Sequence, residues 1–206
     1  MTNATAIVGL SLLAWIALGF GLVRRAERSA SATALPAPWR AAGIAVVLAA
    51  LAIIVRPLPD AALCAVVCIA LVAAAGADAR TGYLFDAITL PTALLVAALA
   101  IATGGAASAA WGVALCVGGF GALVLVSRGR LMGLGDVKAL YAVGAAFGPL
   151  ESLVAIFAAC VSGIVAVALA GRFRRGAQLH FGPHLAAGAA FALVAGNPIL
   201  HTWMGL

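Results

Sequence analysis

Residues 130–144 read RLMGLGDVKALYAVG. One aspartate, Asp136, follows Gly133 and Gly135 closely, a lysine stands two residues further on, and the chain then runs into apolar residues. What a carboxylate at the mouth of an apolar segment means depends on the solvent around that segment. Of the 206 residues, 66% are hydrophobic and 9% charged, whereas soluble domains have about 45–50% and about 25%. Mean hydropathy is +1.20. The apolar runs are continuous and rich in Ala, Leu and Val, which excludes the alternating pattern of a lipid-embedded barrel. The expectation is an all-α protein, a polytopic transmembrane helical bundle surrounded by lipid bilayer.

The net charge of +6 does not point to nucleic acid. The twelve Lys and Arg residues form no patch or stripe and fall in small groups between apolar runs, the arrangement that orients a membrane protein. Cys64, Cys68, Cys116 and Cys160 lie inside apolar runs without a C-x-x-C pair, so they read as small buried residues, and no metal or other cofactor is expected.

Apolar runs between charges predict about eight spans, approximately Ala6–Val23, Ala41–Val55, Ala61–Ala77, Ile88–Thr103, Ser108–Val126, Val137–Gly148, Ser152–Gly171 and Leu185–His201. The second and sixth fall short of the roughly 20 residues that cross a typical bilayer. With eight crossings, alternate loops collect eleven of the twelve basic residues, Arg56 being the exception. The positive-inside rule makes that side cytoplasmic and places both termini outside. Arg24 and Arg25 follow the first run rather than precede it, the reverse of a cleavable signal, so that run reads as a retained anchor. Residues 24–40 read as a flexible connector.

Six residues are acidic. Glu27 lies among arginines, and Asp60 and Glu151 read as outer-loop residues beside prolines. Asp78, Asp86 and Asp136 share the expected cytoplasmic side. Asp78 ends the third predicted span and Asp136 opens the sixth, so both sit at one membrane depth. An acid at a helix end costs little in lipid and suits the positive end of a helix, so depth alone does not make a site. The local chemistry adds more: Gly133 and Gly135 leave the backbone bare before Asp136, where an extended peptide can pair with the main chain. Two aspartates close enough to share one proton act as acid and base on a water without a metal. The reading from another class is a small transporter or channel, which would carry its acids near the midplane of broken helices.

Other residues read more plainly. Asp86 suits an N-cap for the fourth span. Lys138 does not face Asp136 on a helix, and a cation in a first turn opposes the helix dipole. His180 and His184 lack a third ligand and read as loop residues.

GLGDVK, residues 133–138, resembles the G-x-G-D-x-K motif of the type IV prepilin leader peptidases, membrane-embedded aspartyl proteases. DARTGYLFDAITLP, residues 78–91, is similar to that family's first-aspartate segment, and FGPHLA, residues 181–186, to its later F-G-P-x-L-A segment. The three come in the family's order. The resemblance implies that Asp78 and Asp136 are the catalytic pair, that Gly133, Gly135 and Lys138 lie around the substrate, and that no cofactor takes part. It implies a membrane-embedded peptidase domain over residues 61–206, preceded by a two-helix membrane region over 1–60. Its partners would be prepilin-like proteins, cut behind a short basic leader at the cytoplasmic face of a bacterial or archaeal cytoplasmic membrane. A catalytically silent pilus-assembly protein would keep the same motif. Phe85 replaces the proline usual before Asp86, and His180 and His184 replace residues usually apolar or proline. The paired C-x-x-C insert of long-form members, with its N-methyltransferase activity, has no counterpart in the sequence, which suits a short, peptidase-only form.

Overall fold

In the computed structural model, the described residues are 38–81, 84, 86–169 and 180–204. They form six helices: α1 Pro38–Val55, α2 Leu58–Thr81, α3 Asp86–Ala102, α4 Ala106–Ser127, α5 Leu134–Leu169 and α6 Phe181–Met204. No strand occurs among them. Ala and Leu, the residues that lose least on entering a helix, fill these segments, and apolar residues cover nearly every face, as in helices that meet lipid or core on all sides. Punctuation is local. Gly104, at φ 79°, ends α3. Arg128 adopts a left-handed conformation, and the N–H groups of Arg128 and Gly129 close the end of α4 on the carbonyls of Leu125 and Val124, at 3.2 and 2.9 Å.

Four stretches are long and apolar enough to cross a membrane: Asp60–Asp78, Ala106–Ser127, Leu134–Leu169 and Phe181–Thr202. Gly43–Val55 and Ile88–Ala102 are apolar but shorter. The expectation of eight spans with both termini outside is therefore not supported. The first predicted span and residues 24–37 of the predicted connector lie outside the described residues, as do Arg172, Arg174 and Arg175, while residues 38–40 of that connector are instead the first turn of α1. The sixth and seventh predicted spans are the two helical arms of α5, which break at the non-helical Gly148 just before Pro149. Gly148 has φ 68° and ψ −173°, a conformation that residues with a Cβ avoid.

Straight, the 36 residues of α5 would extend about 54 Å, well beyond the roughly 30 Å of a hydrocarbon core. Its two arms instead turn back along the bundle. Gly144 before the bend and Ser152 after it both meet α4, at Gly112 and Cys116. Toward the two ends of α5, Gly135 packs against Leu84 in the connection leaving α2, and Ser162 Oγ lies 3.0 Å from His184 Nδ1 in α6. Asp78 is itself bonded to Gly182 in α6, so both ends of α5 lie at one end of the bundle.

Lipid provides no hydrophobic force between helices, so close backbone packing through small residues takes its place. A Cβ on Gly112 would collide with the carbonyl oxygen of Gly144, and one on Gly188 with that of Ala155. The core they enclose includes Leu140, Val143, Leu185 and Leu193 with buried Cys64, Cys68 and Cys116. Leu94, Val126, Phe157 and Leu169 point outward, as lipid-facing side chains do. Cys160, expected to be buried, is exposed among them.

At the end of the bundle away from Asp78, Arg56 and Glu151 form a bidentate pair. Arg56 Nη1 and Nη2 donate to Glu151 Oε1 and Oε2 at 2.8 and 2.7 Å, and Nη2 also donates to the Ala192 carbonyl at 3.1 Å. With its amide oriented to suit these neighbours, Asn197 donates to Glu151 at 2.6 Å and accepts from Arg56 at 3.1 Å. The two side chains are only 5% and 13% exposed. Burial pulls against the guanidinium charge, but the hydrogen bonds and charge of Glu151 outweigh it and raise Arg56 above its usual range. Read along the sequence, these residues are separate outer-loop charges; in the fold they are one pair tying α1, α5 and α6, because an isolated charge away from water is too costly to leave alone.

Breaking this pair from one side leaves a buried charge without a partner. Glu151→Ala is expected to cost about 3–5 kcal/mol, read as a lowered unfolding temperature in detergent. The joint replacement Arg56→Met with Glu151→Leu should be markedly more stable than Glu151→Ala, since no charge remains buried.

Candidate active site

Asp78 stands in the last turn of α2 and is 5% exposed. Helix α2 runs past the predicted end at Ala77, so the carboxylate belongs to the helix and is held by it. Its Oδ2 accepts a hydrogen bond from the Gly182 N–H at 2.8 Å. Gly182 is the second residue of α6, where backbone N–H groups have no partner within their own helix and where the helix dipole favours a negative charge. Asp78 thus caps α6 from a different helix. The fit depends on glycine: a Cβ at position 182 would lie 2.9 Å from Asp78 Oδ2 and 3.0 Å from its Cβ.

Asp136 is the third residue of α5 and is half-buried. The Gly133 N–H donates to its Oδ2 at 3.3 Å, a short turn that closes the entry to the helix. The start of α5 meets the connection that leaves α2, with Leu84 against Gly135 and Asp86 bonded to Lys138. The two aspartates, 58 positions apart (136 − 78), therefore lie at the same end of the bundle.

The flanking glycines differ. Around Gly133 there is room, the nearest atom to an added Cβ being Asp136 Oδ2 at 3.7 Å. At Gly135 the corresponding space is filled by the chain itself, with Leu84 Cβ at 2.9 Å and the Leu84 carbonyl oxygen at 3.4 Å. Lys138, in the first turns of α5, donates through Nζ to Asp86 Oδ1 at the start of α3. Asp86 is thus tied to α5 as well as placed at a helix start. His184 engages Ser162, and His180 is exposed. Among the described residues no group of three or more His, Cys, Asp or Glu converges to hold a metal ion.

Gly182 is the site residue that sequence reasoning passed over. Its segment, FGPHLA, was legible as a motif, yet nothing in a single sequence tells which distant side chain a glycine makes room for. A glycine followed by proline where an apolar run begins was the available signal, since proline there marks a helix start.

These helices define a membrane protein with two carboxylates gathered at one end of its bundle, each accepting a hydrogen bond from a glycine N–H. The chain belongs to the type IV leader peptidase family, which matches residues 65–168, a stretch holding Asp78, Asp86, Asp136 and Lys138. It is 38% identical over 143 residues to the prepilin leader peptidase/N-methyltransferases of Burkholderia pseudomallei strains 1026b and K96243. Those matches cover 64% of this chain and 45% of each relative, so the chain spans about half their length. No solved structure matches.

The contact between Gly182 and Asp78 is testable without an activity assay. Gly182→Ala should lower the unfolding temperature in the wild-type background and do so much less in an Asp78→Ala background. A coupling of about 0.5–3 kcal/mol is expected for residues in contact; additive effects would mean that the two do not touch in solution.

Proposed function

We propose that this protein is an aspartic endopeptidase that removes the short basic leader of prepilin-like proteins at the cytoplasmic face of the membrane. What supports this reading is the placement of Asp78 and Asp136 at one end of the bundle, where the connection leaving Asp78 packs on the segment bearing Asp136. Family membership and the relatives' names supply the substrate class. Of the two activities in those names, only the peptidase is carried over.

The chemistry follows from the pair. Two neighbouring carboxylates hold one proton between them. A water between them loses a proton to the ionised carboxylate as its oxygen attacks the scissile carbonyl carbon, while the protonated carboxyl gives its proton to the carbonyl oxygen. The resulting tetrahedral diol collapses when the C–N bond breaks: the leaving nitrogen takes a proton from the acid that received it, and one diol hydroxyl returns its proton to the other carboxylate as the new carboxyl C=O forms. The pair is thereby returned to its starting state. The open space beside Gly133 lies where an extended substrate strand would pass, its backbone pairing with the bare main chain.

The face of the membrane is argued from charge. Arg128, Arg130 and Lys138 flank the start of α5 near the aspartates, whereas Arg56 is bonded to Glu151 at the far end. Basic residues favour the cytoplasmic side, which is also where a basic leader remains before its apolar segment enters the membrane. The unit bearing the activity is residues 61–206, with α1 joined to it through Arg56.

The test is cleavage of a prepilin-like substrate by the purified protein in detergent or liposomes. Asp78→Asn and Asp136→Asn should each reduce the rate by a factor of about 10³ or more, with yield and unfolding temperature near those of the wild type. Near-normal cleavage by either variant would remove that aspartate from the reaction.

A further inference from the structure

The lysine of GLGDVK has no part in the reaction just described, and its placement goes against its helix. Lys138 lies in the first turns of α5, where a cation meets the positive end of the dipole. It is also the only lysine in the chain; the other eleven basic residues are arginines. Its amine is bonded to Asp86 Oδ1, with the side chains 38% and 58% exposed. An ion pair this open to water adds little to stability, so stability does not account for it.

Geometry does. Asp86 opens α3, eight positions after Asp78 (86 − 78), and Lys138 lies two after Asp136 (138 − 136). The same connection between α2 and α3 also places Leu84 against the bare backbone of Gly135. The segment leaving Asp78 is therefore fastened to the segment bearing Asp136 at two neighbouring points, one by packing and one by charge. We infer that Asp86 and Lys138 form a latch that holds the two catalytic segments in register, acting as positioning residues rather than as substrate ligands or a helix cap. This rests on the peptidase reading for its consequence in catalysis, but not for the existence of the latch. The consequence is unequal: reaction rates respond to displacements of about 1 Å that barely change the stability of a fold.

Because Lys138 is the only side-chain amine, the latch can be read directly. The rate at which an amine-reactive ester labels Lys138, followed by peptide mass spectrometry, should rise severalfold in Asp86→Asn. An unchanged rate would overturn the latch whether or not the protein cleaves anything. Asparagine caps a helix as well as aspartate does, so a mere cap predicts full cleavage by this variant. The latch predicts that kcat falls about tenfold in Asp86→Asn and in Lys138→Gln with KM little changed, and that Asp86→Glu keeps most of the rate. A substrate-binding lysine would instead raise KM in Lys138→Gln and leave Asp86→Asn active. Faster labelling with undiminished kcat would overturn the positioning role. Absence of cleavage by the wild-type protein would count against the peptidase reading alone, with the labelling still deciding the latch.

Discussion

Because lipid tails are as apolar as leucine, no hydrophobic force draws these helices together, and the bundle depends on how closely their backbones approach. That constraint explains the abundance of alanine and the places where glycine is required. Gly112 and Gly144 let α4 and α5 meet main chain to main chain, and Gly188 does the same for α6 against the second arm of α5. With packing carried by small residues, the few polar groups are left to decide where each helix stops relative to its neighbours. Among the described residues, Arg56 with Glu151, Asp78 with Gly182, Lys138 with Asp86 and Ser162 with His184 are ties of this kind.

The bend in α5 connects these ties. Gly148 and Pro149 turn the element back, so that the arm entering from Asp136 and the arm leaving toward Ser162 share an end of the bundle with α6 and the close of α2. Glu151 lies just past the bend and is gripped by Arg56 from the end of α1. The buried pair at the far end thus anchors the point from which both arms run, and the position of Asp136 depends on an interaction at the opposite end of the molecule.

The apolar runs and the helical class were legible in the sequence, because each rests on properties that act along the chain, hydropathy and charge, and the motif around each aspartate was legible as text. What the sequence hid is relational. Arg56 and Glu151 are 95 positions apart (151 − 56), and a rule that sorts charges by side of the membrane has no means of pairing them. Pro149 marked the interruption between the two arms of α5, but not that the second arm turns back along α4. Gly135 was read as room for a substrate because an unoccupied glycine and one filled by Leu84 look identical in one dimension. Gly182 was missed for the converse reason, its partner being a carboxylate from another helix.

The two ion pairs show how differently the ends of the bundle are built. Arg56 and Glu151 are withdrawn from water, supported by two backbone carbonyls and Asn197, so separating them strands a charge and the fold suffers. Lys138 and Asp86 remain in contact with water, which screens them and resolvates either partner when the other is removed. An interaction of the second kind cannot hold a fold together, yet it biases which of several nearly equal arrangements two helix starts adopt. With the strong pair far from the aspartates and the weak one beside them, the end bearing Asp78 and Asp136 can shift slightly without loosening the rest.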